Sequence, residues 1–333
     1  MYKILIPNDQ VAEFRGGGRY IQTLRENLDS NFVFINKLEE INSNDILIVA
    51  SFNPFASPLV TKKYCSKQFL IIFDVIPLKF PKHFPVGLKG NLNLIRNRLA
   101  LKNFDKIITI SNSAKTDISK YLAYPIDKIS VIYPKLAKIF YSNNNSAVDF
   151  ENEKYCIYVG DVNWNKNLSN LVKAIKVANV KLLLVGKPFS NDCDIDSLNH
   201  PWQKEYQEVM KILKKDDHFK LLGFQTDDEL VKLYKNAYLN ILISREEGFG
   251  YSYMEAASQS CPSLLNNIPV FHETSKEAAF FTDASSHKEI ADAISKIYSN
   301  ESQRDNVAKI AKQRFDDFSR IDIDQEFLKL TQE

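Results

Sequence analysis

Apolar residues along this chain fall into two alternating patterns. Short unbroken runs of strand length alternate with longer segments in which apolar positions return every three or four residues. In the first half, residues 3–7, 32–35, 45–50, 68–73, 106–110 and 127–133 read as strands, and 17–28, 58–65, 92–103 and 113–122 as helices. In the second half the strands fall at 155–159, 181–185, 218–222, 238–243 and 262–265, and the helices at 168–178, 202–214, 227–237, 252–259 and 288–298. Residues 301–333 continue in a helical pattern. Strands separated by helices imply a parallel sheet covered on both faces. A polar, aperiodic stretch at 141–146 separates the halves. The expected class is therefore α/β, with two doubly wound domains facing across a cleft. The first spans 1–145 and the second 146–314, with the last helix, about 315–333, packing back on the first.

The polar and glycine-containing spots stand at the ends of the expected strands. Gly16, Gly17 and Gly18 follow the first, Asp74 ends 68–73, and Ser111 ends 106–110. Gly160 and Lys166 follow 155–159, Gly186 the next strand, Gly223 and Phe224 the one after, and Ser244 to Gly250 the next. Open parallel sheets bind ligands at these carboxyl edges. Such edges in two domains point to a ligand held between them.

The richest edge is the run Ser244-Arg245-Glu246-Glu247-Gly248-Phe249-Gly250-Tyr251-Ser252-Tyr253-Met254-Glu255. Gly248, Phe249 and Gly250 lie where a strand hands over to a helix, and the helix-start N–H groups of Gly250, Tyr251 and Ser252 suit a phosphate. The competing reading is a tight turn that needs glycine. Glu255 sits in an otherwise apolar helical stretch, where a carboxylate needs partners, and a ribose diol offers two hydroxyl donors. The alternative is a Glu on a solvent-facing side. Glu247 reads as a sugar-side acid or a turn acid, with Glu246 as its decoy. Lys166, just before a helix, meets a phosphate as a point charge or is simply solvated. The glycine loop at 16–20 offers N–H groups to an anion, but Ile21 breaks the dinucleotide fingerprint.

Bulk composition narrows the classes. A length of 333 residues fits two domains. Forty-three basic against 41 acidic residues, a net charge of +2, gives no overall signal for nucleic acid. The chain opens on a strand-like run, so no leader is expected, and no stretch reaches the length needed to span a bilayer. Cys65, Cys156, Cys193 and Cys261 show no metal or disulfide spacing, so free thiols and a cytoplasmic location are expected. One region departs from the average. Residues 79–106 carry seven Lys or Arg and one acid, with apolar residues interleaved. That composition suits an anionic membrane surface, such as the inner face of the membrane, or else a solvated helix and loop.

Taken together, these residues resemble glycosyltransferase family four, the retaining sugar-nucleotide transferases of GT-B architecture. The most specific part is the Glu, seven residues, Glu motif from Glu247 to Glu255 with Gly-Phe-Gly inside it. Supporting matches are the loop Gly16 to Tyr20, Asp74-Val75-Ile76-Pro77-Leu78, Ile110 to Lys115, Tyr158-Val159-Gly160, Lys166-Asn167-Leu168, and Leu222-Gly223-Phe224. The resemblance implies that Glu247 contacts the donor sugar, Glu255 the ribose and Lys166 the diphosphate, with the first glycine loop closing over it. Phe73, Asp74 and Ser111 fall on the sugar or acceptor side. It implies retention at the anomeric carbon, no metal and no cofactor beyond the sugar-nucleotide donor. The acceptor it implies is a glycan or a lipid-linked glycan.

Three departures from the family pattern matter. Phe73 stands where a His is usual, Asp161 where an Arg follows the glycine, and Ser252 and Ser260 replace a Pro and a Gly. Arg245, Arg15 or Arg19 are candidates to supply the missing charge. An aromatic Phe73 suits a 6-deoxy sugar, or it simply packs the strand end. The departures keep open a non-catalytic nucleotide-sugar-binding or partner subunit. A dinucleotide-dependent oxidoreductase ranks last, since the fingerprint is absent.

Overall fold

The computed structural model describes residues 1–6, 16–142, 154–190, 202 and 204–332. They divide into two compact units, Met1–Lys135 with Ile321–Glu333, and Leu136–Arg320. The expected domain boundary at 145/146 lies outside the described residues, as do Arg15 and Cys193.

The first unit holds β1 (Tyr2–Leu5), α1 (Gly16–Asn27), β2 (Phe32–Ile35), β3 (Ile46–Val49), β4 (Lys67–Ile71), α2 (Ile76–Lys79), α3 (Leu88–Ala100), β5 (Lys106–Thr109), α4 (Asn112–Leu122) and β6 (Ile129–Val131). Its strands form one parallel sheet in the order β2-β1-β3-β4-β5-β6. Their β-branched and leucine side chains, such as Leu47, Val49, Leu70 and Ile107, fill one core cluster.

The second unit holds β7 (Tyr155–Val159), α5 (Leu168–Ala178), β8 (Lys181–Val185), α6 (Lys204–Leu213), β9 (Phe219–Gly223), α7 (Asp227–Asn236), β10 (Leu239–Leu242), α8 (Tyr251–Ser258), β11 (Ser263–Asn266), α9 (Pro269–Ser275), β12 (Phe280–Thr282), α10 (His287–Tyr298) and α11 (Glu301–Ser319). Its sheet, also parallel, runs β9-β8-β7-β10-β11-β12. The strand order reverses between β7 and β10, the topological switch point of a doubly wound fold. Period-two alternation sorts the faces. Leu239 and Ile241 of β10 join the cluster under α5, α6 and α10, whereas Asn240 reaches α8 by bonding Ser252. A final helix, α12 (Ile323–Gln332), belongs to the first unit, where the Phe327 ring meets Phe32 at 5.9 Å.

The expected strands are present to within a residue or two at most ends, the usual fraying of such boundaries. Other elements differ from expectation. Residues 58–65 are not helical. Buried Gln68 accepts from the Tyr64 N–H and donates to the Lys62 carbonyl, fixing this segment as an irregular loop. The helical pattern at 301–333 breaks into two helices between Ser319 and Ile323. Strand β12 and helix α9 leave no signal in the sequence, because each is too short to show a period.

Candidate functional site

The switch point of the second sheet gathers the candidates that follow β7 and β10. After β7 the chain turns at Gly160, whose N–H bonds the Val185 carbonyl at 3.0 Å. A Cβ on Gly186, at the end of the neighbouring strand, would lie 2.3 Å from the Gly160 carbonyl oxygen. The two strand ends therefore approach too closely for any side chain at Gly186, whose φ is also +145°. Asp161 then fixes the turn. One carboxylate oxygen accepts from the Val162 N–H at 2.8 Å and the other from Asn163 Nδ2 at 3.2 Å. At the position of a family arginine, this residue serves the local backbone.

A single 3-10 turn, Trp164–Lys166, leads to Asn167 in the left-handed region with φ of 59°, and α5 begins at Leu168. Asn tolerates that conformation better than most residues. Its buried amide donates to the carbonyls of Ile243 and Ala284 at 3.2 and 2.7 Å, clamping the turn to the end of β10. Asn165 adds to the clamp, donating to the Glu246 carbonyl at 3.1 Å and accepting from the Arg245 N–H at 2.7 Å. These bonds carry Lys166 across to the opening motif. Its ammonium pairs with Glu247 at 2.5 Å, and Ser244 donates its hydroxyl to the same carboxylate oxygen at 2.7 Å.

The handover from β10 to α8 follows. Gly250 is the N-cap with φ of +95°, and a Cβ there would press on the Phe271 ring at 2.9 Å. So Gly250 meets the conformational need named as the competing reading, and the same turn leaves the first N–H groups of α8 at the sheet edge. Phe249 is buried against Phe318 and Tyr251, so its side chain is core and only its backbone borders the turn. Glu255 is 2% exposed and accepts from Tyr234 at 3.0 Å. The solvent-facing alternative is thereby excluded. The Tyr234 hydroxyl also lies 3.2 Å from that of Ser252, which donates to Asn240 at 3.2 Å, so Glu255 joins a buried polar network. Gly223, at φ +67°, ends β9, and Phe224 beside it is exposed.

Arg245, one candidate for the missing charge, already has partners. Its guanidinium lies over the Trp164 ring at 4.8 Å, donates to the Trp164 carbonyl, and pairs with Glu205 of α6 at 3.2 Å. These contacts hold the Lys166 turn from behind. The parts played by Ser244, Asn165, Asn167 and Glu205 escape sequence reasoning. Asn165 and Asn167 flank Lys166, and that polar pair before a helix is the one available signal.

In the first unit, Gly16, Gly17 and Gly18 form the opening turn of α1 rather than a loop ahead of it. A Cβ on Gly17 would meet the Phe73 ring at 2.9 Å, and that ring packs edge-on to Tyr20 at 5.1 Å. Asp74 accepts from the Ile76 N–H at 3.0 Å, turning the chain into α2. Ser111 is fully buried and caps α4 by accepting from the Ala114 N–H at 3.0 Å. Phe73 and Ser111 thus have structural duties of their own.

Comparison with known proteins adds to this geometry. The family model described as "Glycosyl transferases group 1" matches residues 142–314. The O-antigen chain mannosyltransferase RfbU of Salmonella typhimurium is 26% identical over 231 residues, covering 69% of this chain and 60% of that protein. The serotype-specific mannosyltransferase WbdA of Escherichia coli is 25% identical over 326 residues, covering 87% of this chain and 38% of that protein. The chain therefore spans less than two thirds of either relative's length. Among solved structures, Anabaena HepE in complex with UDP and glucose aligns with a TM-score of 0.72 over 100% of this chain and 99% of that one, at 17% identity. At that identity the likeness is one of fold, two Rossmann-like domains of the GT-B type.

Proposed function

The chain belongs to the glycosyl transferases of group 1, and from that premise we propose that it moves a hexose from a nucleoside-diphosphate donor to a glycan or lipid-linked glycan acceptor, with retention at the anomeric carbon. The observation that carries the reading is the junction of Lys166, Glu247 and Ser244 at the β7/β10 switch point, next to the start of α8. A cation, a carboxylate and the first N–H groups of a helix converge where such a sheet binds nucleotides.

In this reading the bond from sugar C1 to the diphosphate oxygen breaks, a bond from C1 to the acceptor oxygen forms on the same face, and the acceptor proton leaves with the diphosphate. Negative charge grows on the leaving phosphate. Lys166 and the N–H groups of Gly250, Tyr251 and Ser252 oppose it, an electrostatic contribution that such fixed donors make well. An incoming phosphate competes with Glu247 for the Lys166 ammonium, which frees a carboxylate oxygen to accept from a sugar hydroxyl. Glu255 takes the ribose hydroxyls, its position held by Tyr234. Within the second unit, Gly160, Gly223 and Phe224 border the donor. No metal or cofactor enters this scheme.

Both curated relatives quoted above are named mannosyltransferases of O-antigen or serotype polysaccharide, so an activated mannose is the first donor to test and polysaccharide synthesis the first setting. The packing of Phe73 on Gly17 and Tyr20 gives the 6-deoxy preference no support of its own. A thermal-shift screen of nucleoside-diphosphate mannose, glucose, rhamnose and fucose should give a concentration-dependent rise with at least one donor. Transfer from that donor, with the product's anomeric configuration read by NMR, completes the test. Donor binding with no transfer to any glycan or lipid-linked acceptor would instead point to the binding-subunit reading. A flat screen would sink both.

A further inference from the structure

Helix α3 turns its polar side inward. Its buried residues are Asn93, Asn97 and Ala100. Asn93 donates to the Phe55 carbonyl at 3.0 Å, and Asn97 to those of Pro54 and Ala56 at 3.1 and 2.8 Å. These amides dock the helix on the loop at 53–56. Leu94 packs against the first-unit core, but four large apolar side chains point the other way. Leu88 is 90% exposed, Leu92 48%, Ile95 55% and Leu99 59%. At about 100° per residue, these positions fall within an arc of roughly 60°, opposite the buried asparagines. Large apolar residues exposed singly are ordinary, but a continuous stripe marks an interaction surface.

Charge selects the partner. On the same wheel, Lys89 and Arg96 sit on one shoulder of the stripe and Arg98 on the other, and all three are exposed. Lys82 and Lys102 extend the basic character beyond either end of the helix, again exposed. No acid lies on α3. The one acid within 79–106, Asp105, is bound to Lys63 at 2.6 Å and to the Gln68 N–H at 2.8 Å. A protein interface would deplete lysine around its core. A leucine stripe with cationic shoulders is the pattern of a helix lying in a lipid headgroup layer. Among the described residues no helix is long and apolar enough to cross a membrane.

We propose that this face of α3 docks on an anionic lipid bilayer, with Leu88, Leu92, Ile95 and Leu99 at the acyl boundary and Lys89 and Arg96 among the headgroups. The surface is independent of the transferase reading and stands or falls without it.

Flotation of the full chain with vesicles tests it. Binding to vesicles of phosphatidylcholine with about one third phosphatidylglycerol should exceed binding to pure phosphatidylcholine by roughly tenfold or more. The double variant Leu92→Ser, Ile95→Ser should lose binding about tenfold, while Lys89→Gln, Arg96→Gln should lose the part that high salt also removes. All four positions are solvent-facing, so melting temperature should hold. Should a double variant misfold, Leu92→Trp decides, since the indole emission it adds should shift to the blue with anionic vesicles. Wild-type indifference to anionic vesicles, equal binding by the serine variant, or an unshifted emission from Leu92→Trp would overturn the proposal. So would a dimer that Leu92→Ser disperses in the absence of vesicle binding, which assigns the face to a second copy.

Discussion

Lys166 shows how much one side chain depends on residues remote in sequence. Its place beside Glu247 rests on Asn165, Asn167 and Arg245, each bonded across to or from the end of β10. If it opposes charge on the leaving diphosphate, Lys166→Ala should lower turnover by roughly 10²–10³-fold while the far-ultraviolet circular dichroism stays unchanged. Unaltered turnover would remove it from the mechanism. The burial of Glu255 was legible, because a carboxylate among apolar helical positions needs partners. The employment of Asp161 and Ser111 was not, since a bond to the backbone one or three residues away leaves no mark on spacing. The Arg245 partner, Glu205, lies forty positions away on another helix, beyond any local pattern. The thiols make a second check at this scale. Burial pushes Cys156 and Cys261 up to about 12. Both should resist alkylation at pH 8 in the folded chain and react once guanidinium unfolds it, as peptide mass mapping would record.

Among the elements, the handover from β10 to α8 is the most constrained. Gly250→Ala has to hold φ at +95° and displace the Phe271 ring. It should cost about 1–3 kcal/mol in denaturant unfolding. Helix α7 offers a milder case, a capping box in which Thr226 accepts from the Glu229 N–H and Glu229 from the Thr226 N–H. Thr226→Ala should cost about 1 kcal/mol by the same measurement. Elements such as α5 and β7 were readable because their apolar positions serve the core directly. Residues 58–65 misled because their periodicity is overruled by the side-chain amide of Gln68, just beyond the segment, that holds the backbone in another shape.

Across the molecule, the two units differ in how acid should affect them. Asp216 is held below the usual carboxylate range by Lys176 and His218, Glu229 by Thr226, and Asp283 by Ser285. All three lie in the second unit. A carboxyl depressed on folding stabilises above its unfolded value and loses that contribution as pH falls through the folded one. Asp324 of α12, in the first unit, is raised by desolvation, and its effect has the opposite sign. The second unit should therefore weaken first as pH drops below about 4. Both tryptophans, Trp164 and Trp202, lie in that unit, so their emission in an acid titration reports it directly. Loss of first-unit structure ahead of the tryptophan change would contradict this.

The return of α12 sets an order of events for a chain made from its amino end. Phe327, which meets Phe32 of β2, and Asp324, which accepts from the Asp29 N–H, emerge from the ribosome only after every residue of the second unit. The second unit is continuous and can close as it is synthesised, while the first waits with Phe32 stacked on Tyr2 but lacking Phe327. Nascent chains arrested after Arg320 should yield a protease-resistant second unit attached to a first unit that is still cut. Extension through α12 should protect both.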